Sequence, residues 1–271
     1  REAYGVRPAA VAVGALVLAN VGTTCAEFAG IAAGFELFGV RRQVSVPLAA
    51  AAVSLLVLRG SFHRVERVLM LVGAIFVTYV LAGILAGPDW GATLRGTVAP
   101  TLPRSRDAVA LTTATIGTTL APWGLSFIQS YAADKRLTTD ELRYERVDVV
   151  LGAALTGIIG FFVVIACAAT LHPQGVSIHD ASDAARALEP LAGDVAGKLF
   201  GIGLIGAALL AASILPLSTA YSVSEFVGRE AALDDHPADA ALFYGTYAVI
   251  VTVSAALILV LLLSAAGAWV A

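Results

Sequence analysis

The sequence predicts an all-α polytopic membrane protein with about seven transmembrane helices, and three observations carry that prediction. Hydrophobic residues fill 58% of the 271 positions and charged residues only 14%, where a soluble domain runs about a quarter charged. Mean hydropathy is +0.85. Seven segments hold at most one charge over a length able to cross roughly 30 Å of hydrocarbon, and none alternates apolar and polar residues at barrel-strand spacing. The whole chain, 1–271, reads as one transmembrane domain.

The segments lie near 8–33, 44–59, 68–87, 107–133, 148–171, 197–224 and 240–264, the second being the shortest. All are rich in Ala, Leu, Val and Gly, and the 26 glycines suit helices that must approach closely where lipid offers no hydrophobic drive between them. A net charge of -3 and a pI of 5.8 exclude a nucleic-acid footprint, which needs a basic stripe. Cys25 and Cys167 fall in apolar segments and are expected to pack as small hydrophobes.

The connections carry the charge. Arg59 to Arg67, with His63, Arg64 and Glu66, is compact and basic. Lys135, Arg136, Arg143 and Arg146 link the fourth and fifth segments. Gly87 to Arg106 contains Pro88, Pro100 and Pro103 and reads as a long loop. The connection from His172 to Lys198 mixes His179, Asp180, Asp183, Glu189 and Asp194. With Arg1 inside, ten of the 17 Lys and Arg residues lie on the inner side, a weak positive-inside bias.

The fourth segment is expected to be discontinuous. Within 107–133, Ala121-Pro122-Trp123-Gly124 stands at the middle. Pro122 has no N–H for the carbonyl of Thr118 and crowds it, while Gly124 permits backbone angles other residues avoid. Such a pair can split a span into two half-helices whose freed carbonyls, that of Ala121 foremost, face a cation. A packing kink is the plainer alternative.

Polar residues bear on that choice. Asn20, Thr23, Thr24 and Glu27 share one helical face of the first segment, and Ser218, Tyr221, Ser222 and Glu225 repeat the spacing in the sixth. Ser126, Gln129 and Ser130 line a face of the fourth. These stripes suggest a hydrated path. Glu27, the one charge inside its segment, is a functional candidate on that ground. Glu225, at a segment end, reads as a solvated cap. Enzyme readings fail: His63, His172, His179 and His236 all fall in connections, neither HExxH nor CxxC occurs, and no zinc site is signalled. A retinal receptor would need a lysine in 240–264, which has none.

Gly117-Thr-Thr-Leu-Ala121-Pro122-Trp123-Gly124 with Gln129-Ser130 resembles the sixth-helix motif of the NRAMP divalent-metal transporters. Thr23-Thr-Cys-Ala-Glu27-Phe-Ala-Gly30 is similar to that family's third helix, and in register the seven segments match helices three to nine. The resemblance implies a LeuT-type fold of two inverted five-helix repeats, a divalent metal held between two broken helices, and alternating access. It also implies that the first broken helix, with its Asp and Asn ligands, precedes Arg1. No cofactor is implied beyond the transported metal. The expected partners are divalent metal ions and the lipid bilayer of a cell (inner) membrane.

The departures narrow the expectation. Where the family has Met-Pro-His-Asn, this chain has Ala121-Pro122-Trp123-Gly124. Losing the soft thioether leaves an oxygen-only, roomier site that suits magnesium, which dehydrates reluctantly. In this the chain resembles the NRAMP-related magnesium transporters. The acidic pair of proton-coupled members corresponds to Thr24 and Glu27, and the sixth-helix histidines to Trp123 and Gln129, which points away from strong proton coupling. The resemblance therefore implies a magnesium (and manganese) transporter with the Ala121 carbonyl as ligand. Pro122 and Gly124 would hold the break open, Trp123 would shape the cavity, and Thr118, Gln129 and Glu27 would line the path. A proton-coupled manganese or iron importer and a non-transporting scaffold are the alternatives.

Overall fold

Where no water reaches the backbone, a single apolar segment can satisfy its own N–H and C=O groups only as a helix. A computed structural model describes residues 5–59, 62–101, 105–119, 121–135, 137–171, 173, 175, 194–229 and 232–268, and they contain no strand. In order the helices are α1 (Val6–Glu36), α2 (Arg42–Arg59), α3 (Phe62–Ala74), α4 (Val77–Leu85), α5 (Trp90–Val98), α6 (Arg106–Thr119), α7 (Pro122–Asp134), α8 (Leu142–Thr170), α9 (Asp194–Val227) and α10 (Ala241–Ala268).

Six stretches among the described residues are long and apolar enough to cross a bilayer: α1, α2, α3 with α4, α8, α9 and α10. The remaining apolar segment forms α6 and α7, of 14 and 13 residues. At 1.5 Å per residue each spans only about 20 Å, so neither crosses alone. The third span turns at Ile75-Phe76, whose N–H groups donate three residues back, to Val72 and Gly73, in the tighter 3₁₀ manner.

Two parts of the sequence reading are corrected. The segment from Gly87 to Arg106 is not all loop but carries α5, which starts where the Asp89 carboxylate accepts from the N–H groups of Gly91 and Ala92 at 2.8 and 3.1 Å. That is an ordinary N-cap, hidden among prolines. His63 lies in α3 rather than in a connection, because Val65 is buried and keeps the helix running through its charged neighbours. Arg136, His172, His179, Asp180, Asp183 and Glu189 lie outside the described residues.

Helix α9 is the axis of the molecule. The main core joins α1, α2, α9 and α10 through Phe28, Ile31, Val53, Leu217, Phe243 and Tyr247, with Phe127 and Tyr131 of α7 packed against it. A second cluster sets Tyr79 of α4 and Ala166 of α8 against Phe200 of α9. Small residues permit the approach. A Cβ on Gly34 of α1 would stand 2.5 Å from Ile205 of α9, and one on Gly83 of α4 would stand 2.8 Å from the Phe162 carbonyl of α8. Directional bonds add to the packing. The Asn20 amide donates to the Thr219 hydroxyl at 2.8 Å, tying α1 to α9, and the Tyr247 hydroxyl donates to the Val53 carbonyl at 3.1 Å, tying α10 to α2.

Candidate functional site

The start of α7 is the local feature around which a site can be built. Ala121 is extended, with ψ 130°, and Pro122 occupies the first turn of the helix. A residue before proline is pushed into this extended region, while proline itself is well suited to the first helical position. The Ala121 carbonyl accepts from the Gly124 N–H at 3.1 Å, leaving one lone pair. Gly124 takes ordinary helical geometry, and a Cβ there would meet nothing within 4 Å. The turn therefore rests on the proline and not on the glycine.

Below that turn an open cavity of about 910 Å³ lies between α1, α7 and α9. Ala9, Ala12, Val13 and Leu16 make its apolar wall, and Pro122, Ser126, Ser222 and Glu225 line the opposite side. The polar groups on α7 and α9 meet in register. The Ser218 hydroxyl donates to the Trp123 carbonyl at 3.2 Å, the hydroxyls of Ser126 and Ser222 are 2.7 Å apart, and the Ser130 hydroxyl donates to a Glu225 carboxylate oxygen at 2.6 Å. The stripes of the fourth and sixth segments thus meet as the two sides of one interhelical hydrogen-bond ladder, because short hydroxyl side chains let the helices come close enough to bond. Glu225 is exposed near the end of its helix, as its place at a segment end predicts, and it also lines this cavity and accepts from Ser130.

The other predicted residues fall elsewhere. Thr118 is exposed on α6 with its hydroxyl returned to the Thr115 carbonyl. Gln129 is exposed on α7, outside the cavity lining. Trp123 is half-buried. On α1, Asn20 and Thr24 are buried and Thr23 is exposed. Glu27 is half-buried, away from the cavity and within electrostatic reach of Tyr79 on α4. Among the described residues no three His, Cys, Asp or Glu side chains gather as a metal cluster. A cation held here would therefore rely on single carboxylates, hydroxyls and carbonyls.

At its far end α7 is fastened by charge. Asp134 accepts from the Tyr221 hydroxyl of α9 and from the Leu233 N–H at 3.0 Å. Lys135 pairs with Glu145 of α8 at 3.0 Å and lies 3.8 Å from Glu66 of α3, which also accepts from the Tyr131 hydroxyl at 2.8 Å. The Glu145 carboxylate, bonded to the ammonium, raises the pKa of Lys135 above the usual lysine value. Asp134 lies just past a predicted segment end, and nothing in the sequence marks its partners 87 and 99 residues away.

Residues 1–270 match the family model described as natural resistance-associated macrophage protein-like, Nramp. The divalent metal cation transporter MntH of Pectobacterium carotovorum subsp. carotovorum (strain PC1) is 30% identical over 214 residues, 76% of this chain and 51% of that protein. The MntH of Klebsiella pneumoniae (strain 342) is 31% identical over 194 residues, 69% of this chain and 47% of its own length. That of Caldanaerobacter subterraneus subsp. tengcongensis is 26% identical over 221 residues, or 78% and 52%. The chain thus spans about half the length of the curated relatives it matches.

Proposed function

The chain belongs to the Nramp family, a family of LeuT-type fold, and from that premise we propose that the protein moves divalent metal cations across a bacterial inner membrane by alternating access. The observation that carries this reading is the extended Ala121-Pro122 link between α6 and α7 above an open cavity of about 910 Å³. A helix end in mid-span leaves carbonyls free for a cation, and irregular backbone survives at such depth only where protein covers it or water reaches it. The relatives' names, divalent metal cation transporter, support the substrate class.

Magnesium, with manganese as a second substrate, is the preferred cargo. Ala121 offers its carbonyl and no thioether, and the cavity is lined by oxygen donors: Ser126, Ser222 and Glu225. Hard oxygen sites with room for retained water suit magnesium and give cadmium no advantage. Pro122 keeps the link open and Trp123 shapes the space beside it. Thr118 and Gln129, exposed on either side of the link, extend the path beyond the cavity. One observation favours a second reading, proton-coupled manganese or iron uptake. Glu27 is a carboxylate half-buried in α1 near Tyr79, as a proton carrier in a membrane helix would be.

Liposomes containing the full-length protein, loaded with a magnesium-sensitive and a pH-sensitive dye, separate these readings. Magnesium entry without acidification is expected. Manganese entry with acidification and no magnesium signal would transfer the assignment to the second reading, and no entry of any divalent metal would overturn transport itself.

A further inference from the structure

We propose that α3 is a hinged arm: it swings on the turn at Ile75-Phe76, and Glu66 near its free end latches it to α7. The inference goes beyond the transport reading. The hinge and the latch do not depend on that reading, and only the arm's use as a gate rests on it.

Three observations place the hinge. First, the N–H groups of Ile75, Phe76, Thr78 and Tyr79 donate three residues back, to the carbonyls of Val72, Gly73, Ile75 and Phe76, at 2.9 to 3.1 Å. A 3₁₀ stretch inside a longer helix often marks a hinge. Second, the turn divides two packing units. Val65 and Leu69 of α3 belong to the main core, whereas Tyr79 and Ala82 of α4 belong to the second cluster. Third, α9 supplies a fulcrum. A Cβ on Gly206 would stand 3.0 Å from Ile75, and one on Gly203 would stand 2.9 Å from the Thr78 hydroxyl oxygen. That hydroxyl is buried and has no hydrogen-bond partner among the described residues. In an unbroken α-helix it would reach the carbonyl four residues back, as the hydroxyls of Thr112 and Thr113 do. The turn therefore holds an unmet polar group that another setting of the arm can satisfy.

The latch lies near the other end of the arm. The Glu66 carboxylate accepts from the Tyr131 hydroxyl of α7 at 2.8 Å and stands 3.8 Å from the Lys135 ammonium. Helix α7 has its own moorings: the hydroxyl ladder to α9, Asp134 on the Leu233 N–H and Lys135 on Glu145 of α8. Parting the Glu66 contacts thus frees α3 and leaves α7 in place. The Lys135 and Glu66 side chains are 31% and 26% exposed. A pair so placed is weak and screened by salt, which suits a contact that must form and break. At 1.5 Å per residue Glu66 stands about 14 Å from Ile75, so a swing of about 20° carries it about 5 Å and parts both contacts.

Double electron–electron resonance on the purified full-length protein, with Cys25 and Cys167 replaced by alanine, reads the arm directly. One pair of spin labels goes on Arg67→Cys of α3 and Asp140→Cys beyond α7. A second pair, Ile84→Cys of α4 with Asp140→Cys, looks from the other side of the turn. Glu66→Ala is expected to add a population about 5 Å longer in the first pair and to leave the second unchanged. Tyr131→Phe should act in the same sense, less strongly, and carries the comparison if Glu66→Ala does not give a monodisperse protein. No longer population in either variant would overturn the latch, and equal lengthening in both pairs, a rigid tilt of the whole span, would overturn the hinge. The gate is tested with Glu66→Cys and Tyr131→Cys bridged by a bifunctional methanethiosulfonate reagent. Manganese uptake into liposomes should fall about tenfold or more and return on reduction, and uptake untouched by the bridge would overturn the gate. If the unbridged protein carries no divalent metal while the arm still swings, the transport reading fails and the hinge stands.

Discussion

Helices α6 and α7 are neighbours in sequence, nearly equal in length and both well supplied with hydroxyl side chains, yet they use them differently. In α6 the hydroxyls of Thr112, Thr113, Thr115 and Thr119 each donate to the carbonyl four residues back, at 2.7 to 2.9 Å, and no residue of the helix is buried. In α7, Ser126 and Ser130 reach across to Ser222 and Glu225, and Asp134 fastens the far end to Tyr221 and Leu233. A polar residue in an apolar helix is therefore no measure of water nearby. What matters is whether the hydroxyl closes on its own helix or on another.

Three perturbations break or sharpen this contrast. The largest effect is expected from Pro122→Ala. Removing the proline frees Ala121 to become helical and lets α6 and α7 join, so metal uptake should fall more than about tenfold while the melting temperature moves little, since proline at a first-turn position is not itself destabilising. Uptake at the wild-type rate would mean the link is not where transport depends on the fold. Next comes Asp134→Ala, which removes a charged acceptor from two donors. A loss of about 3 kcal/mol is expected from hydrogen bonds to a charged group, read as a lowered melting temperature in detergent, with Asp134→Asn falling in between. Smallest is the Ser126/Ser222 pair. A double-mutant cycle to alanine should return a coupling of about 0.6 kcal/mol, typical between membrane helices, whereas Thr113→Ala in α6 should stay within about 0.5 kcal/mol of zero. Equal effects at the two sites would erase the distinction between the halves.

Legibility in the sequence followed the same divide between local and distant causes. Runs of apolar residues announce seven membrane segments, because the solvent demands them one at a time, and six of these are long spans among the described residues while the seventh is divided into α6 and α7. Pro122 likewise acts on its own neighbours, so the start of α7 is explicable from four residues. Helix α5 was not legible: Asp89 is a fair cap, but Pro88 and Pro100 around a short helix with no buried residue look like a loop. Helix partners were harder still. Ser126 and Ser222 are 96 residues apart, and periodicity put each on a polar face without saying that the two faces meet. For Glu225, position at a segment end suggested solvent. Only the arrangement of α1, α7 and α9 turns that solvent into a cavity.

The threonines of α6 have one more consequence, for sliding. A hydroxyl already bonded to its own helix presents a methyl group outward and asks nothing of whatever lies beside it. The hydroxyls of Thr112, Thr113, Thr115, Thr118 and Thr119 in α6 thus have their donors used within the helix and need no partner on a neighbouring one. Bonds of this back-turned kind also bend helices slightly. Where α7 is pinned like a beam, α6 has the surface chemistry of a bearing.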